Sequence, residues 1–185
     1  AEYIGNAGSL FDPSYQGKME FGAAIHELLA KVSWIEETDF DDAIRTWKER
    51  SPAEDEFKQQ VVDKFRLAIA ADDIRQALSS PRKNVELWRE QGFEIVLGDK
   101  WVTGIFDRVE IVRDPDGKPI QATVVDFKSD EIPPDVELAG CVQRHRPQMS
   151  IYAKALSQML GLGLPQIRIR MVFTQPGKVA DLSAF

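Results

Sequence analysis

Two runs with apolar residues at period two, 101–113 and 119–128, are joined by Asp114-Pro115-Asp116-Gly117, and no other feature constrains the chain as tightly. Proline presets the backbone at the second turn position and glycine suits the last. Trp101–Arg113 and Pro119–Lys128, rich in Val, Ile, Thr and Phe, therefore read as the arms of an antiparallel hairpin. If Arg113 lies opposite Lys118, Ile105 falls opposite Asp126 and Asp107 becomes its diagonal neighbour.

Alternation along the arms sets two carboxylates among apolar side chains. Trp101, Thr103, Ile105, Asp107, Val109 and Ile111 share one face, and Ala122, Val124, Asp126 and Lys128 share the matching one. An ionised carboxylate buried without a partner is costly, so something must compensate it. Opposite or diagonal residues on one face lie roughly 5–8 Å apart, where two carboxylates repel unless a proton or cation separates them. A hard divalent ion with oxygen ligands, Mg²⁺ or in its place Mn²⁺, answers that requirement. Lys128 stands close enough to orient a water or to stabilise charge developing on phosphorus. An Asp-x-Lys tripeptide alone is common and usually marks an ion pair on an edge strand. The hairpin-linked Asp107 is what makes this one a candidate catalytic centre.

The rest of the chain reads as helices, then strands, then a helix and a strand. Phe21, Ile25, Leu28, Leu29 and Val32 form a helical stripe over roughly 19–33, and 39–78 reads as two or three amphipathic helices interrupted at Ser51-Pro52. Phe57, Val61, Phe65 and Ile69 mark the buried face of the longest. Val85–Glu90 and Phe93–Leu97 read as short strands separated by a Gln91-Gly92 turn. A loop with Pro133-Pro134 precedes a helix over roughly 147–160 that ends near Gly161 and Gly163. The last strand expected is 166–174, with Ile167, Ile169, Met171 and Phe173 alternating. This order predicts a mixed, mostly antiparallel central sheet flanked by helices, an α/β or α+β sandwich.

Two helices bring further chemistry. Gly22, His26 and Ala30 fall on one line at spacing four, so the His26 ring stands between small residues, and neutral imidazole is a common metal ligand. A lone helical histidine is more often structural. Gln148 and Tyr152 share a face of the late helix. Pro147 suits a first helical position, which places Gln148 near a helix N-terminus, a favourable place for phosphate. Arg144, His145 and Arg146 just before it read as a solvated loop within reach of backbone phosphate.

Composition bounds the alternatives. A chain of 185 residues fits one domain, expected over 1–185, and can bury a core without metal or disulfide staples. Cys141 is the single cysteine, which excludes an internal disulfide, a cysteine-rich zinc site and a self-contained iron–sulfur cluster, and favours the cytoplasm. No apolar run matches a membrane span and no segment resembles a signal peptide. The chain starts at Ala1 rather than Met, as a processed chain or a piece of a longer one would. A net charge of −7 argues against a protein that coats nucleic acid, but not against an enzyme whose carboxylates hold metal. Glu36, Glu37, Asp39, Asp41 and Asp42 read as a solvated helix start.

Taken in order, these pieces resemble the RecB-type nucleases of the PD-(D/E)XK superfamily. The residues that carry the resemblance are Gly22 to His26, Gly104-Ile105-Phe106-Asp107-Arg108, Asp126-Phe127-Lys128 and Gln148-Met149-Ser150-Ile151-Tyr152. Glu90 resembles the family's acidic position before the Gly-x-x-Asp strand, and Met171–Thr174 with the following Gln-Pro-Gly is similar to its last core strand. Residues 36–83 stand outside the pattern as a helical insert. The resemblance implies a restriction-endonuclease-like core. It implies Mg²⁺ held by His26, Asp107, Asp126 and the Phe127 carbonyl, with Lys128 as catalytic lysine. Gln148 and Tyr152 match the family's Gln-x-x-x-Tyr motif, associated with DNA contact and site architecture, and Arg146 beside them is a candidate DNA contact.

Such domains commonly end helicase–nuclease polypeptides of the AddA/RecB type that process double-strand breaks. The resemblance thus implies an exonuclease acting on single-stranded DNA or ends delivered by a helicase module in the same polypeptide or complex. No phosphate-binding loop is present, so the chain has no motor of its own. The competing readings are a catalytically silent nuclease fold that binds DNA or docks a partner, a nuclease acting on RNA, and a restriction-type endonuclease.

Overall fold

The computed structural model describes residues 13–81, 84–130, 132 and 137–182. Four helices come first: α1 (Pro13–Leu29), α2 (Phe40–Arg50), α3 (Asp55–Ala70) and α4 (Asp72–Ala77). Three strands follow: β1 (Val85–Leu97), β2 (Lys100–Arg113) and β3 (Pro119–Lys128). Helix α5 (Leu138–Leu160), a short 3₁₀ turn at Leu164–Gln166, β4 (Ile167–Phe173) and β5 (Lys178–Leu182) complete the chain. The five strands form one sheet in the order β1-β2-β3-β4-β5, parallel only between β3 and β4. A parallel pair needs a crossover, and α5 supplies it. This is the mixed, helix-flanked α+β sheet expected, consistent with a restriction-endonuclease-like fold.

Each face of the sheet buries its own apolar layer. Ile25, Leu28 and Leu29 of α1 pack with Val61, Phe65 and Ile69 of α3 against Val125, Phe127 and Val172 of the sheet. On the other face Met149, Ala153 and Leu156 of α5 cover Val109, Ile111, Ala122, Val124, Ile167, Ile169, Met171 and Phe173. Strand β3 therefore alternates between the layers, Ala122 and Val124 to one and Val125 and Phe127 to the other, as a strand buried on both faces must. The acidic run after α1 is solvated and starts a helix, with Asp39 accepting from the Asp42 amide at the N-cap of α2.

Four local expectations are corrected. Gln91-Gly92 is not a turn: Val85–Leu97 is one strand, paired along its length with β2, and the hairpin closes at Gly98-Asp99, where Gly98 takes φ 66. Glycine marks a turn only where the backbone needs that left-handed region, and Gly92 instead pairs with Ile105 inside the ladder. The Asp114–Gly117 turn forms as read, its amides held by the Asp114 carboxylate, but a bulge at Val112/Arg113 puts Arg113 opposite Pro119 and Val112 opposite Gln121. The register beyond it runs two residues from the expected one. An even shift by itself keeps faces, and the ladder ends at the Arg108–Val125 pair, leaving Asp107 and Asp126 as the next residues along the two strands.

The late helix begins at Leu138, so Pro147 lies inside it, Gln148 is mid-helix, and Arg144, His145 and Arg146 are helical rather than a loop. Cys141 and Val142 are buried before the proline, and that packing carries the helix through a residue that removes one of its hydrogen bonds. Finally, β5 is a fifth strand beyond the one expected to be last, pairing antiparallel to β4 from Ile169–Leu182 to Phe173–Lys178. The Pro133-Pro134 loop lies outside the described residues. Among the described residues no helix is long and apolar enough to cross a membrane.

Candidate active site

Strict alternation fails in β2 at the residue that matters most. Phe106 and Val109, three positions apart, both pack in the layer under α5, while Arg108 between them turns to the end of α1. Of the odd-numbered residues expected to share a buried face, Val109 and Ile111 are buried but Trp101 and Ile105 are exposed. The break is matched on β1 by Glu90, which continues the register opposite Asp107 and has φ 49. Holding a non-glycine residue there costs on the order of 1–3 kcal/mol and persists because pairing on both sides enforces it. Asp107 sits at this break and is released from the pleat toward α1.

Its carboxylate Oδ2 accepts from the Phe127 amide (2.8 Å) and stands 3.7 Å from His26 Nδ1, an ion-pair contact rather than a hydrogen bond. The His26 ring meets Phe127 edge-on. Burial depresses the His26 pKa, but Asp107 and the charge of Asp126 outweigh burial and raise it above its ordinary value. Glu90 is also raised, first by burial and then by the charge of Asp107. Gly22, one turn before His26, faces Ser129; a Cβ there would lie 2.6 Å from the Ser129 hydroxyl, so glycine lets α1 approach the end of β3.

Asp126 is the deepest group, 3% exposed. Lys128 Nζ lies 2.8 Å from its Oδ2, within ion-pair distance but outside hydrogen-bonding geometry, so Oδ2 has no hydrogen-bond partner among the described residues. Burial drives the Asp126 pKa up to about 6, Asp107 adding to the rise and Lys128 opposing it. Lys128 Nζ donates to Gln148 Oε1 (2.9 Å), and Gln148 Nε2 donates to the Tyr152 hydroxyl (3.1 Å). Burial and the charges of Asp126 and Asp107 push Tyr152 up to about 12, so it stays a neutral phenol at any working pH.

Sequence reasoning missed the floor of this chain of contacts. Tyr152 stands edge-on to Phe93 and Phe106, which stack 4.5 Å apart, and Phe93 lies over Gly104, where a Cβ would come within 2.6 Å of the ring. Gly104 was legible as part of a motif; that its missing side chain seats an aromatic floor was not. Also missed was the His145–Asp130 pair at 3.1 Å, which ties the exit of β3 to α5 and holds Asp130 below the usual carboxylate range. Arg108 is buried, donates to the Val32 and Ser33 carbonyls and to Glu110, and lies 4.3 Å from the Trp34 ring. It holds β2 to the chain leaving α1.

Six of the expected residues, His26, Asp107, Asp126, Lys128, Gln148 and Tyr152, thus join in one run of contacts across α1, β2, β3 and α5, with Glu90 beside it. Arg146 lies exposed on α5, two residues before Gln148. A cleft of about 1030 Å³ between α1 and the α2–α3 junction meets the cluster only at His26 and Glu90. Among the described residues no three His, Cys, Asp or Glu side chains already converge at metal-holding distance. The donor types nevertheless suit a divalent ion: a buried carboxylate, a second carboxylate on the neighbouring strand whose charge it feels, and an imidazole 3.7 Å from that second one.

The model of the PD-(D/E)XK nuclease superfamily matches residues 1–183. The chain belongs to that superfamily. Comparison with curated proteins found no match. Enzymes of the PD-(D/E)XK superfamily are in general nucleases that use divalent metal ions.

Proposed function

We propose that this chain is a Mg²⁺-dependent deoxyribonuclease whose reaction centre is built on Asp107, Asp126 and Lys128. One observation carries the reading: Asp126, buried and raised to about 6, lies 2.8 Å from the Lys128 ammonium and within the field of a second carboxylate, Asp107. His26, Asp107, Asp126 and the Phe127 carbonyl would hold the ion. When bound, Mg²⁺ lowers the pKa of a coordinated water and offsets charge on the phosphodiester.

The remaining work falls to the chain. Lys128, fixed by Gln148, keeps its ammonium aimed at the space beside Asp126, where it orients the attacking water and balances the charge that builds on the phosphoryl oxygens. Tyr152 holds Gln148 from behind and, with a pKa near 12, neither gives up nor takes a proton. Glu90 adds a third carboxylate on the His26 side.

The finer context rests on the RecB-type resemblance of Gly22–His26 and Gln148–Tyr152, and on the charge. An acidic chain captures phosphates poorly, which suits an exonuclease handed single strands or ends by a helicase module during double-strand-break repair and recombination. The test is cleavage of single-stranded DNA, duplex DNA and RNA with Mg²⁺ or Mn²⁺. DNA cleavage that disappears in Asp126→Ala and Lys128→Ala is expected, and cleavage surviving both substitutions overturns the assignment. A chain that binds neither ion by calorimetry is the silent module instead.

A further inference from the structure

The β1–β2 hairpin runs past the helices, and one of its faces is bare. Gly92, Glu94 and Val96 on β1 pair with Ile105, Thr103 and Trp101 on β2, and all six are exposed. Of the eight large apolar side chains exposed among the described residues, three, Val96, Trp101 and Ile105, lie on this one face. Trp101 is 66% exposed, yet its indole Nε1 donates to Glu94 across the ladder (2.9 Å), so the ring is held in place. The opposite face, with Phe93 and Ile95, is buried toward α5, so the hairpin is anchored.

The bare face leads straight into the candidate site. Ile105 is two residues from Asp107, and the Trp101–Asp107 stretch spans about 20 Å at the rise of a strand. Charge on the arm is sparse: Glu94 is tied to Trp101, and Asp99 and Lys100 at the tip offset one another. Such a surface cannot grip phosphates. It can take bases, because every base has a π-face and a tethered indole is a ready stacking platform.

We infer that the bare face of the β1–β2 hairpin, centred on Trp101 and Ile105, is a stacking platform for single-stranded DNA that leads the strand, bases inward, to the carboxylates of the site. This rests on the nuclease reading above. It favours a nucleic acid over a protein partner because the strip is continuous, within one strand, with the Asp that faces the reaction.

The test measures binding of labelled oligothymidylate to the whole chain in EDTA, where no cleavage occurs, beside an abasic strand of equal length. The wild type should prefer the strand with bases. Trp101→Ala should lose about tenfold in affinity for it and none for the abasic strand, and Trp101→Phe should keep most of the preference. The salt dependence should be shallow, as stacking rather than counterion release drives binding. Hydrolysis of a small baseless phosphodiester with Mg²⁺ should be unchanged in Trp101→Ala. Equal affinity for the two strands, unchanged affinity in Trp101→Ala, or no binding to either overturns the inference even if DNA cleavage is intact. Loss of cleavage in the wild type would instead count against the nuclease reading, which the binding comparison does not use.

Discussion

Lys128 and Gln148 face each other across the β3–α5 boundary, the lysine Nζ donating to the glutamine Oε1 at 2.9 Å, so the position of the ammonium beside Asp126 is set from the middle of a helix. Removing the ammonium should remove most of the transition-state stabilisation, and Lys128→Ala is expected to lower single-turnover DNA cleavage by about 10²–10³-fold. Gln148→Ala should cost about tenfold in kcat with KM little changed, since it acts through the lysine. The double variant should then be no worse than Lys128→Ala alone. Additive losses in single-turnover kinetics would show instead that Gln148 contacts DNA independently.

Asp126 makes stability depend on pH in the direction opposite to that of most carboxylates. Its pKa rises from 3.8 to about 6 in the folded chain, with burial the main cause. Between those values the folded state keeps a proton that the unfolded state has released, so stability falls as pH rises through the window and levels off above it. Urea midpoints in EDTA from pH 4 to 7 should show that decline, and Asp126→Asn should flatten it and raise the midpoint at pH 7. Adding Mn²⁺ should restore wild-type stability by mass action but leave Asp126→Asn unmoved.

Legibility followed the range of the interaction that decides each feature. The Asp114–Gly117 turn is local chemistry, a proline, a glycine and an Asp that accepts from two amides, and it could be read directly. The bulge beside it at Val112/Arg113 leaves no residue signature, so the register came out two positions away; an even slip preserves faces as far as Arg108, beyond which the break in alternation takes over. Pro147 reads locally as a helix start, yet Cys141 and Val142 are buried by strands far along the chain and extend the helix upstream. The same limit applies to Asp107. Its place near Asp126 followed from alternation, but its turn toward His26 depends on the break opposite Glu90, which only paired strands reveal.

Gly104 links fold to site through a ring rather than through the backbone. A methyl there would meet Phe93 Cζ at 2.6 Å, and Phe93 supports Phe106 and Tyr152. Gly104→Ala should therefore cost about 1–3 kcal/mol of stability by overpacking and lower kcat by displacing Tyr152 from Gln148. Phe93→Leu in that background, freeing the space the ring occupied, should recover stability more than activity. Thermal denaturation together with cleavage rates distinguishes the two; full recovery of both would mean that the ring stack does not position Tyr152.

Arg108 follows Asp107 directly and anchors the chain just beyond His26. Its guanidinium is buried, with one nitrogen lacking a hydrogen-bond partner among the described residues, and the others serve Glu110 and the carbonyls of Val32 and Ser33. Burial lowers its pKa despite Glu110, but a guanidinium has range to spare and stays charged. Arg108→Ala leaves Glu110 facing the interior with two carbonyls unpaired, and should cost about 3–5 kcal/mol. Lysine supplies the charge but not the planar fork, so Arg108→Lys should fold with an intermediate loss. That variant is the informative one. With the end of α1 less firmly tied to β2, the His26–Asp107 contact at 3.7 Å should loosen, and Mn²⁺ affinity by calorimetry should fall several-fold while far-ultraviolet circular dichroism stays native. Unchanged Mn²⁺ affinity in a destabilised Arg108→Lys would separate the scaffold from the metal ligands and restrict Arg108 to stability alone.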